Sequence, residues 1–109
     1  MLFQYALPAR DDMIGQEIPI SNFPDLNIRY LSYENNLCAS NYNPGTMCIS
    51  EGHLNITLSI NNKIITIDDH DKRKGIINRI GRYTFQGIDS EVEDMRKDKT
   101  YLIFKIVMI

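Results

Sequence analysis

Two histidines, His53 and His70, and two cysteines, Cys38 and Cys48, are the whole imidazole and thiol inventory of this 109-residue chain. That sets a low ceiling on metal and nucleophilic chemistry. The cysteines flank Asn43-Pro44-Gly45, so a hairpin there could bring them face to face as a disulfide. In a cytoplasmic setting two free thiols are the expected state. A zinc centre needs further ligands at regular spacing, and neither histidine supplies such a pattern. Asp68-Asp69-His70-Asp71 is dense in ligand atoms, but calcium loops alternate their acids so that the oxygens converge. Lys72-Arg73-Lys74 follows at once and brings three positive charges to where a cation would sit. The stretch therefore reads as a solvated loop at a hairpin end. Asp89, Glu91, Glu93 and Asp94 suit a helix start better than an acid–base pair. No metal, no cofactor and no catalytic residue are expected.

A basic stretch offers a different chemistry. Lys72, Arg73, Lys74, Arg79 and Arg82 could neutralise phosphate, and Tyr83 and Phe85 could stack bases. Against it, the chain is acidic overall, with a net charge of −2, and the glycine-aromatic signature of RNA-recognition sheets is absent. Nucleic acid is not the expected partner. Phosphate-loop, dinucleotide, nucleophile-elbow and zinc-protease motifs are likewise missing.

The acids are placed unevenly. Residues 1–62 carry six acids and two bases, whereas residues 63–109 carry ten bases and eight acids. Strands from both halves could interleave and average this out. The alternative is an acidic face that steers a basic partner. Asp11 and Asp12 lie in a loop bounded by Pro8 and Gly15, while Tyr33, Glu34 and Tyr42 flank an Asn-rich segment. Exposed tyrosine gives contact area at low entropic cost, and rim acids steer. Asp11, Asp12, Tyr33, Glu34 and Tyr42 are the expected partner-binding residues.

The elements that must position these groups are strands. In residues 54–67, Leu54, Ile56, Leu58 and Ile60 alternate with Asn55, Thr57 and Ser59, and Asn61-Asn62 precede Lys63-Ile64-Ile65-Thr66-Ile67. Period-two alternation with a two-residue asparagine turn spells a β-hairpin. With Ile60 opposite Lys63, Ile56, Leu58, Ile65 and Ile67 share the buried face. Further strands are expected over 2–7, 28–33, 46–50, 82–86 and 100–109, the last apolar on both sides as a central strand is. Residues 17–20 can form an edge piece at most, because Pro19 lacks a ladder donor. Turns are expected at 34–36 and 41–45, and one short helix over 90–97 with Ser90 as its N-cap. Residues 76–80 fit a strand or a helical turn.

The expected class is a mainly β, small single-domain antiparallel sheet, curled or sandwich-like, with one or two short helices. The length suits one domain, and 43% hydrophobic and 24% charged residues suit a globular chain. The first residues show neither a basic region nor a long apolar stretch, and no run reaches a membrane span, so the expected compartment is the cytoplasm. Seventeen Ile against two Val, with ten Asn and three Ala, exceed what strand propensity explains and point to AT-rich coding DNA. Small size, no catalytic constellation and an acidic, tyrosine-bearing N-terminal half lead to one expectation. The chain is a cytoplasmic protein-binding inhibitor, a bacterial immunity protein that blocks the basic active-site face of a cognate nuclease-type toxin. A phage-encoded inhibitor or small virion component, and a nucleic-acid- or ligand-binding β module, are the alternatives.

Overall fold

The computed structural model describes residues 2–36, 52–92 and 99–109. Cys38, Tyr42, Cys48, the expected 41–45 turn and the expected 46–50 strand lie outside the described residues. Strands dominate: β1 (Leu2–Pro8), β2 (Ile28–Asn36), β3 (His53–Ile60), β4 (Lys63–Asp68), β5 (Asn78–Ile80), β6 (Tyr83–Val92) and β7 (Thr100–Met108). A 3-10 turn (Asp11–Met13) and a four-residue helix, α1 (Asp71–Lys74), accompany them among the described residues.

The hairpin forms where the alternation puts it. Asn61 and Asn62 both take positive φ, 50° and 68°, the geometry of a twist-matched two-residue turn. Ile60 faces Lys63, Leu58 faces Ile65, and Ile56 faces Ile67. Leu54, Ile56, Leu58, Ile60 and Ile67 are buried, while Ile65 is half-buried against the core. Asn61 also fastens the turn to the segment before β2, accepting from the Asn27 amide at 2.8 Å and donating its own amide to Asn27 O at 2.9 Å.

β2 adds to the other side of β3 and runs three residues further than expected. Glu34, Asn35 and Asn36 pair with Asn55, Leu54 and His53 rather than turning. A bulge between Tyr30 and Ser32 resets the register on the way. Asparagine's turn preference is a weak local bias, and a ready ladder partner outweighs it. Along the outer edge of β2, residues 15–18 bond to Ile28 and Tyr30 and bridge Glu17 to Arg29, so the expected edge piece is one isolated bridge.

The second sheet has the order β1-β7-β6-β5, all antiparallel. β7 is interior, as its two-sided apolarity predicts, with Leu102, Phe104 and Ile106 buried. β6 overturns the expected helix at its start. Ser90, Glu91 and Val92 pair with Leu102, Tyr101 and Thr100, so Ser90 caps nothing. A two-turn helix carries the full nucleation cost, and β7 offers these residues a ladder; residues 93–98 are outside the described set. Of the ambiguous stretch, Asn78–Ile80 is strand.

The two sheets share one core, from Leu7 through Ile106. Phe23 sits edge-on to Phe3 (5.3 Å) and to Tyr83 (5.4 Å), pinning the irregular segment before β2 beneath the four-stranded sheet. At one side Tyr30 Oη donates to Pro8 O at 2.8 Å. At the other, β4 meets β6 so closely that a Cβ on Gly87 would collide with the backbone oxygen of Asp68. Among the described residues no helix is long and apolar enough to cross a membrane.

Candidate functional site

β4 does not end in a solvated loop. The side-chain phase that carries Ile65 and Ile67 inward continues past the strand and carries Asp69 and Asp71 inward too, to 5% and 2% exposure. Asp69 Oδ1 accepts from the Leu54 amide at 3.1 Å, while the Asp69 amide donates to Leu54 O at 3.0 Å. The ladder is thus prolonged by one rung, half of it made by a side chain. Asp71 Oδ2 accepts from the Asp68 amide (3.2 Å) and from the Gly87 amide of β6 (3.1 Å). One carboxylate therefore joins the end of one sheet to the bulge of the other. Gly75, at φ 70°, closes α1 and returns the chain to β5.

The outward phase carries the rest. Asp68 faces Asn55, and His53 precedes Asn55 by two residues on β3, so His53 and Asp68 share the outer face. His53 Nδ1 lies 3.5 Å from Asp68 Oδ1, and His70 Nε2 lies 3.7 Å from Asp69 Oδ1. The two imidazole rings stand 4.3 Å apart at 54°. His70's amide donates to Asp68 Oδ1 at 2.8 Å, and Arg73 Nη2 sits 3.0 Å from His70 Nδ1. His53, Asp68, Asp69 and His70 each present a ligand atom within 4.8 Å of the others.

Burial divides the carboxylates. It pushes the Asp69 carboxyl up, against the Leu54 amide and His70, and pushes Asp71 up against the Gly87 and Asp68 amides. Burial works on Asp68 as well, but the His70 amide and His53 outweigh it and hold that carboxyl below the usual range. Part of the expected basic obstacle to a cation stays at the cluster. Lys72, Arg73 and Lys74 are all exposed on α1, and Arg73 is the one whose contact with the cluster is seen.

The expected partner-binding residues are only partly brought together. Tyr33 Oη donates to Asp11 Oδ1 at 2.8 Å, and that carboxylate holds the phenol's proton more tightly than usual. Asp12 is engaged by Arg10 at 3.2 Å, with both side chains well exposed. Glu34 points to the opposite face of β2 from Tyr33 and accepts from Asn55 Nδ2 at 3.3 Å. It shares the row Glu34, Asn55, Asp68 across the three strands. Tyr42 is outside the described residues. In the basic stretch the aromatics are spent elsewhere: Phe85 is core, and Tyr83 is buried with its hydroxyl on Asp25 at 2.8 Å. Comparison with protein-family models, curated proteins and solved structures found no match.

Proposed function

We propose that this protein is a binding inhibitor, an immunity protein acting in the bacterial cytoplasm, which closes off the basic active site of a nuclease-type toxin. The observation that carries the reading is the Asp11–Tyr33 pair. It lies beside exposed Asp12, next to β2, the terminal strand of the described three-stranded sheet. A phenol already fixed by its carboxylate gives contact area at little further entropic cost. Neighbouring acids raise the encounter rate with a basic surface. The nucleic-acid alternative loses its stacking half with Tyr83 and Phe85 buried.

Co-expression tests it. The chain should protect cells from the toxin encoded immediately upstream of its gene, and the Asp11→Lys/Asp12→Lys variant should protect less. Purified protein that carries nucleic acid, released by high salt, in the absence of any such toxin would end this reading.

A further inference from the structure

We infer that His53, Asp68, Asp69 and His70 form a site for one divalent transition-metal ion of the zinc class, held in competition with Arg73. Two imidazoles and two carboxylates are the donor set that zinc, cobalt and nickel take, whereas calcium and magnesium demand oxygen alone. The known separations suit a tetrahedral ion. With ligand bonds of about 2.0–2.1 Å its edges are roughly 3.4 Å long, and two edges already measure 3.5 and 3.7 Å. No pair of the four ligand atoms is more than 4.8 Å apart. Both carboxylates are aimed by backbone amides, Asp69 by Leu54 and Asp68 by His70; such outer hydrogen bonds orient metal ligands.

Arg73 makes the site conditional. A guanidinium can only donate, so its contact at 3.0 Å makes Nδ1 of His70 the acceptor and leaves the proton on Nε2, toward Asp69. A metal at Nε2 moves that proton to Nδ1, where Arg73 can no longer bond. A metal at Nδ1 takes the place of Arg73 outright. Either way Arg73 must withdraw, and in the metal-free protein it closes the site. The bound ion would tie the start of β3, the end of β4 and the turn into α1 together.

The test uses the full chain after chelator treatment, in a Cys38→Ser/Cys48→Ser background so that no thiolate contributes. Calorimetric titration with Zn2+ should show one ion per chain, and neither Ca2+ nor Mg2+ should compete. At saturating Zn2+ the thermal midpoint should rise by about 5 °C or more. Co2+ should give the intense visible bands of four-coordination. His53→Ala and His70→Ala should each weaken zinc binding by about tenfold or more. Arg73→Gln should tighten it several-fold, and clearly more than Lys72→Gln, which removes the same charge from the same exposed helix. No saturable Zn2+ binding, affinity indifferent to both histidines, or equal effects of Arg73→Gln and Lys72→Gln would each overturn the proposal. The arginine and lysine pair keeps the test decisive even if a histidine variant fails to fold.

Discussion

Asp71 is a single side chain on which two sheets depend. Its Oδ2 takes the Asp68 and Gly87 amides, and both donors are screened from water once it is in place. Asp71→Ala leaves them without this acceptor, each at about 1–3 kcal/mol, so the urea midpoint should fall by the equivalent of roughly 2–5 kcal/mol. A loss below about 1 kcal/mol would mean water replaces the carboxylate. Tyr30 carries a separate, pH-dependent term. Burial pushes its phenol well above the ordinary range, so the native state keeps the proton that an unfolded chain releases near pH 10. Its contribution is present below that pH and is lost as pH rises, about 1.4 kcal/mol per unit. Stability should therefore fall faster above pH 10 in the native sequence than in Tyr30→Phe, whose cost at neutral pH is the bond to Pro8 O, about 0.5–1.5 kcal/mol. Parallel alkaline limbs would show that Tyr30 ionises in the folded protein. The position of Asp69 and Asp71 was readable, since 65, 67, 69 and 71 share one phase. Their acidity hid it: an aspartate is assigned to solvent unless a backbone donor is foreseen inside, and those donors are Leu54 of β3, fifteen residues before Asp69, and Gly87 of β6, sixteen residues after Asp71.

Elements were legible where both the pattern and the partner were local. The 54–67 hairpin carries its own turn, and its register places Ile56 at full burial but Ile65 at partial burial. Ile56→Ala should cost about 2–4 kcal/mol. Ile65→Ala should cost clearly less, because one flank of Ile65 already meets water; equal losses would mean that β4 is covered in solution. Where a strand's partner is distant, local preference misled. Residues 34–36 read as a turn and residues 90–92 as a helix start, and each instead follows a ladder, β3 and β7 respectively. Gly87 shows how tightly such distant pairing is set. Its neighbour Ile88 is the bulge of β6, and its missing side chain admits the carbonyl of Asp68. Backbone cannot yield as a flexible side chain does, so Gly87→Ala should destabilise by about 3 kcal/mol or more through overpacking. A near-neutral Gly87→Ala, measured by denaturant unfolding, would refute the close approach of β4 to β6.

At the scale of the molecule the charge asymmetry of the sequence is largely folded away. Each sheet takes strands from both halves, β1 beside β7 and β2 beside β3 and β4, so neither sheet is the acidic face. What survives is local. Arg10 and Arg29 are bridged to Asp12 and Glu17, and Asp11 stands beside them bonded to a neutral phenol. Asp11→Lys/Asp12→Lys changes the net charge from −2 to +2 at two exposed positions. It breaks the exposed Arg10 bridge, worth at most about 1 kcal/mol, and the Tyr33 bond to Asp11, worth at most about 3 kcal/mol. Together these lie below a typical domain stability of about 5–15 kcal/mol, so the fold should be retained. If the proposed partner is steered, association of the doubly substituted chain with the co-expressed toxin should be about tenfold slower at low salt. At 1 M salt, where the Debye length is about 3 Å, the two association rates should converge, with any remaining affinity difference lying in dissociation. A slowing that persists undiminished at high salt would assign Asp11 and Asp12 to the contact itself. Equal rates at low salt would move the binding surface away from this turn altogether.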